Sequence, residues 1–373
     1  MLHDSRRIMT TLPRWMQAWA SALLVAGLLG SVGSSYAHPA QTAEPLAPAA
    51  RTAPASLAQD NSPQRVFLPF VFTPEAEKGA PGRQAAKDLW NNEYLPSNNV
   101  SAEWTGSHAA CTPGETSQAY KDAVLRRLNY FRAAAGVPLL SRLNPEYNRK
   151  AQAAALMMSR NDDLSHSPPT SWICYSQDGK EGAGRSNLYL GRTGPNAITG
   201  YIQDPGGGNE IVGHRRWILY PQTQEMGTGD VPAVGSFNSS NALYVFDAHT
   251  FDPRPSTRDE FVAWPPPGYI PYPVVFTRWS FSYPDADFRQ AQVTVTRDGT
   301  SQPLVQYTPY PEFGSSFFYG ENTLVWEMGG PNDSDPWPKP AADTTYQVTV
   351  RNVIVNGQPR DFSYEVIIFD PET

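Results

Sequence analysis

The hydrophobic period changes once along this chain, and that change limits its architecture more than any other feature. Up to about residue 161, apolar side chains recur at helical spacing; beyond about Ser256 the helical pattern gives way to short alternating runs. Residues 120–135 carry Val124, Leu125, Leu128, Phe131 and Ala135 as an apolar stripe, with Arg126, Arg127 and Arg132 expected on the wetter side. Gly136-Val137-Pro138 stops that helix. Asn144 then offers an N-cap and Pro145 a first turn for a second helix, running through Ala151, Ala154, Leu156 and Met157 to about Asn161. In the C-terminal part, Val293-Thr294-Val295-Thr296 precedes an Asp298-Gly299 turn, and residues 346–350 and 364–369 flank Asn356-Gly357. A helical layer followed by an immunoglobulin-like β-sandwich is expected.

A length of 373 residues accommodates two domains and flanking segments. A net charge of −7 argues against nucleic acid, whose binders carry basic faces. Residues 1–37 read as a secretory signal peptide: Arg6, Arg7 and Arg14 precede an apolar stretch from Trp19 to Val32, and Ser35-Tyr36-Ala37 forms a small-residue cleavage site. Residues 38–87 read as an Ala/Pro-rich disordered linker, with Val66–Phe72 as a short apolar edge segment. A helical domain over 88–250 and a β-sandwich over 256–373 complete the expected organisation. No transmembrane segment is expected in the mature chain, which should be secreted, extracellular or on the cell surface.

Of six histidines, His166 and His214 fall inside well-marked motifs: Leu164-Ser165-His166-Ser167-Pro168-Pro169, and Gly213-His214-Arg215-Arg216-Trp217-Ile218-Leu219 followed by Gly227-Thr228-Gly229. His108 sits in a loop of polar residues. Two imidazoles in one cleft, with carboxylates nearby, can hold a divalent ion or exchange protons near neutral pH. Each can equally hydrogen-bond a loop backbone. The glycine run 206–208 lacks the Lys-Ser/Thr of a phosphate loop. Neither a Gly-x-Ser-x-Gly elbow nor a His-Glu-x-x-His helix is present.

In order, Leu128-Asn129-Tyr130-Phe131-Arg132 through Leu139, the Ala-rich helix 151–158 leading to His166, and the Gly213–Gly229 motifs resemble the CAP superfamily of cysteine-rich secretory, antigen 5 and pathogenesis-related proteins. The resemblance covers about 88–250. It implies an α+β fold, a CAP-type α-β-α sandwich, whose central cleft holds two histidines and two acids. Its first acid lies in a Gly-Glu-Asn segment, where this chain has Arg185-Ser186-Asn187. An uncharged Ser186 cannot balance a cation there. Glu181 is a conceivable substitute, and Glu210 or Asp204 is the candidate for the second acid.

His166 and His214 are therefore expected to line a cleft with Ser186, Asn187 and Glu210, open to a divalent cation such as zinc or magnesium. Cys111 and Cys174, in an exported chain, are expected as a disulfide. Arg215 and Arg216 read as part of a strand leaving the cleft. Trp279, Phe281 and Trp326 read as core rather than as a sugar platform. The expected role is a module binding a small molecule, a lipid, a peptide, a glycan or another cell-surface ligand, rather than an enzyme. The alternatives are a metal-dependent hydrolase of peptide or cell-wall material, with Glu210 or Asp204 activating water, and an adhesive protein binding through its β-domain.

Overall fold

The computed structural model describes residues 79–307, 320–329, 335 and 337–373. The expected signal peptide, its cleavage site and the Val66–Phe72 segment lie outside the described residues. All described residues fall in one compact unit.

The first helix, α1 (Arg83–Leu89), begins inside the stretch expected as linker and continues through tighter and wider turns to Ser97. Next comes α2 (Gln118–Ala135), opened by the Ser117 hydroxyl, which accepts from the Tyr120 amide, and closed by Gly136 in the left-handed conformation at φ 73°. Val124, Leu128 and Phe131 are buried as their spacing requires. Two of the three arginines expected on the wetter side are not there. Arg127 and Arg132 are almost wholly buried, and only Arg126 keeps part of its side chain in solvent. Arg127 donates to Ser97, Asn98 and Thr199 and lies over the Tyr94 ring. Arg132 donates to the carbonyls of Pro138, Ile218, Tyr220 and Thr223. Side-chain oxygens of other segments for Arg127, and backbone carbonyls for Arg132, satisfy the two guanidinium groups, which a charge count along one helix does not reveal.

After the two-residue strand β1 (Arg142–Leu143) follows α3 (Pro145–Asn161), whose N-cap Asn144 accepts from Glu146 and Tyr147. Then come α4 (Gln177–Gly184), β2 (Ser186–Leu190), α5 (Gly194–Gln203), α6 (Gly213–Ile218), β3 (Glu225–Val231) and β4 (Ser240–Tyr244). The residues expected as a strand around Arg215 and Arg216 are thus a helix. Both arginines are buried, because backbone carbonyls again surround them: Ile202 accepts from Arg215 and Glu321 from Arg216.

The four strands form a sheet in the order β1-β3-β4-β2. Alternation sends Leu188, Val231, Ala242 and Tyr244 to the face covered by α3 and α4. Met226, Leu243 and Val245 go to the face covered by α2, α5 and α6. The result is an α-β-α sandwich.

Helix α3 lies unusually close to its strand. A Cβ at Gly229 would stand 2.1 Å from the backbone of Ala151 and Gln152, and one at Gly227 would collide with Tyr147. The Gly-Thr-Gly spacing is therefore a packing requirement. It lets Asn148 accept the Thr228 amide, while Gln152 accepts the Asp230 amide and donates to the Asp230 carbonyl. Side chains thus pair a strand edge that β1 is too short to cover.

The C-terminal region is β-rich. Strands β5 (Val262–Trp264), β6 (Gly268–Pro271), β7 (Arg278–Ser282), β8 (Gln292–Arg297), β9 (Thr300–Ser301), β10 (Leu304–Gln306), β11 (Thr323–Met328), β12 (Thr344–Val355) and β13 (Gln358–Phe369) form two sheets, β10-β11-β7-β5 and β6-β13-β12-β8-β9. Trp279, Phe281 and Trp326 are fully buried, which makes them core residues. That core is continuous with the helical layer: the Trp264 ring meets Phe131 edge-on at 5.3 Å.

Candidate functional site

His166 enters on the loop that follows α3. Asn161 pins the far side of this loop by exchanging two hydrogen bonds of 3.0 Å with the Ile173 backbone. One residue later, Cys174 is joined to Cys111, the expected disulfide. The His166 Nδ1–H donates to the Ala183 carbonyl at 2.9 Å, which fixes the neutral tautomer with its lone pair on Nε2. Burial pushes its pKa down to about 4, and the proximity of His214 pushes the same way.

His214 sits in the first turn of α6. The N-cap position, Val212, has no side chain able to cap, and the carboxylate of Asp204 takes over that duty from a distance. Asp204 Oδ2 accepts the His214 amide at 3.0 Å, and Oδ1 accepts the imidazole Nδ1–H at 2.7 Å. Asp204 can do both because it ends α5 in the left-handed conformation, with φ 54°. Burial works to lower the His214 pKa, but the charge and hydrogen bond of Asp204 outweigh it and the net shift is upward. Asn187 donates to the His214 carbonyl at 3.1 Å, and the Tyr201 ring stacks on the imidazole at 5.4 Å.

The other expected residues are placed differently. Ser186 is buried, with its hydroxyl lacking a hydrogen-bond partner. Glu181 pairs with Lys150 at 2.7 Å. Glu210 folds its carboxylate onto the Gly208 amide at 3.0 Å, a bond that holds its pKa below the usual range. His108, far from sitting in a polar loop, is buried, bonded to Ser159 at 2.8 Å and stacked on Phe237.

Asp230 did not stand out in the sequence, although it directly follows Gly227-Thr228-Gly229. It is a fully buried carboxylate that accepts from the Gly194 amide, the Thr228 hydroxyl and Asn241. Burial raises its pKa against the opposing effect of those three bonds. The Tyr201 hydroxyl reaches the same Asn241 side chain at 2.8 Å, so this buried network backs the ring that stacks on His214.

Among the described residues, no three His, Cys, Asp or Glu side chains converge as a cation-holding group. Two imidazoles do not fit a closed zinc site, which takes four protein ligands, nor magnesium, which takes oxygen. A separate groove of about 540 Å³ opens between α2, α3 and the disulfide, lined by residues such as Gln118, Lys121, Leu143, Asn148 and Thr228; neither histidine lines it.

A search of the curated proteins finds no match to this chain. The family model of the cysteine-rich secretory protein family, CAP, matches residues 125–245. That span runs from α2 to the end of β4 and contains both histidines, Asp204 and the Gly-Thr-Gly strand. Over that span the chain is similar to the CAP family.

Proposed function

We propose that this chain is an exported binding module whose histidine pair engages the polar end of a small lipid, peptide or glycan ligand. The observation that carries this reading is the split between the two imidazoles: His166 is held neutral and His214 is biased toward its cation. A neutral imidazole accepts a hydrogen bond and an imidazolium donates one. Together they complement a group that does both, such as a hydroxyl, an amide or a protonated acid.

A hydrolytic reading needs a carboxylate to activate water. Asp204 is engaged through both oxygens with His214, and Glu210 with its own loop. A divalent cation, if recruited, would rest on His166 and His214 with the remaining positions filled by oxygens of the ligand. The disulfide supports export to an oxidising compartment. No helix among the described residues is long and apolar enough to cross a membrane.

Calorimetric titration of the purified chain with a lysophospholipid, a tripeptide, chitotriose and zinc chloride tests the reading, with His166→Ala/His214→Ala beside the wild type. At least one organic probe should bind the wild type and lose tenfold or more in affinity in the double variant. Zinc alone binding at one equivalent, and lost in that variant, would replace the reading with a resident metal site.

A further inference from the structure

The β-rich region reaches into the histidine site. Arg278, the first residue of β7, is 4% exposed and donates from Nη1 to the backbone carbonyl of Asp204. In return Arg215, the neighbour of His214, donates to the Arg278 carbonyl at 2.9 Å and to the Ser280 hydroxyl at 3.1 Å. Each guanidinium thus holds the backbone of the opposite segment. Glu327 on β11 fixes the Arg278 side chain through an Nε–Oε1 contact of 2.9 Å. Arg215 also donates to the Ile202 carbonyl, at the end of the helix that carries Asp204.

We propose that Arg278 is a positioning residue for the histidine site, holding the Asp204 backbone so that its carboxylate meets the imidazole of His214. Asp204 leaves α5 in a left-handed conformation, and Pro205 follows with the glycine run 206–208, a segment with few side chains of its own to fix it. Main-chain anchorage from outside is what keeps a carboxylate on such a turn within hydrogen-bond distance of its target. The C-terminal sheet supplies that anchorage, so β7 is a working part of the site.

This inference rests on the reading that the His166–His214 pair is the binding site, but its test needs no ligand. The His214 Nδ1–H, bonded to Asp204, gives a downfield proton resonance in nitrogen-correlated NMR of the full chain, assigned by its loss in Asp204→Asn. In Arg278→Met this resonance should broaden or move upfield. Arg278→Lys should restore part of it, and Arg289→Met, which removes a surface ion pair elsewhere in the same region, should leave it in place. If Arg278→Met does not fold, Glu327→Gln and Ser280→Ala, which loosen the brace from either side, should shift the resonance by a smaller amount. An unchanged resonance in folded Arg278→Met, or in both milder variants where that one does not fold, would overturn the proposal. Ligand binding retained in His166→Ala/His214→Ala, with the resonance in the Arg278 variants behaving as expected, would sink the binding reading and leave the brace standing, so the two readings fail separately.

Discussion

The two histidines stand in walls built on opposite principles. His166 comes from an exposed loop secured at its far end by a covalent bond, and its imidazole answers mainly to burial. His214 comes from a short buried helix with no covalent tie: Trp217 and Ile218 pack it into the core, and polar contacts fix it through Asp204 at its start, Arg132 at its closing carbonyls and Arg215 against β7. The first wall leaves its imidazole neutral because nothing charged compensates desolvation. The second supplies a carboxylate at 2.7 Å and reverses the shift. Identical side chains acquire different chemistry from how their backbones are held.

The largest effect should come from the covalent wall. Cys111→Ala/Cys174→Ala opens a loop with a sequence separation of 63, for which loop entropy gives about 4 kcal/mol; chemical denaturation of the variant measures it. If the loss is under about 1 kcal/mol, that wall is held by its hydrogen bonds instead.

Acid comes next. The unfolded His166 protonates near pH 6.5 and the folded one near 4, so as pH falls through this window the unfolded chain takes up the proton first and stability drops. The expected loss is about 3 kcal/mol, complete below about pH 4. Unfolding midpoints followed across the window should show this slope in the wild type and lose most of it in His166→Gln.

On the polar wall, Asp204→Asn should cost about 2 kcal/mol, because it weakens a helix cap and a charge-assisted bond together. His214 carries the opposite linkage: its raised pKa stabilises the fold below the unfolded value, and that contribution is lost as pH rises through the folded value. The same variant should therefore also abolish that alkaline-side loss, and NMR titration should place His214 below its wild-type midpoint.

The smallest effect belongs to Ser186→Ala. Its hydroxyl is buried without a partner, so removing it should leave stability within about 0.5 kcal/mol of wild type or raise it slightly. A loss of ligand binding from this substitution would give Ser186 a role that its protein contacts do not show.

Much of this was legible in the residues. The caps at Asn144-Pro145 and Gly136, the cysteine pair and the strand turns are local signals, and each is found where its chemistry places it. The order of motifs singled out His166 and His214 as the candidates for one site. What escaped was decided by distant backbone. Arg127 and Arg132 look like a solvated face until the carbonyls and hydroxyls of other segments are in place. The six residues of α6 are too few for periodicity to separate helix from strand. Asp204 and Glu210 are comparable candidates in sequence; only the left-handed turn at Asp204 aims one at His214, while the other closes on Gly208. Asp230 was hidden because a lone carboxylate after Gly-Thr-Gly gives no sign of three converging donors.

The covalent link between Cys111 and Cys174 also governs how the chain would come apart under proteolysis. The loop between them exposes Leu164 and Ile173 to solvent, a natural place for a protease to cut. A single nick there would open a ring without separating its pieces. The two fragments would run as one species on a non-reducing gel and part only on reduction, so the loop carrying His166 can be severed while both halves of the molecule stay tethered.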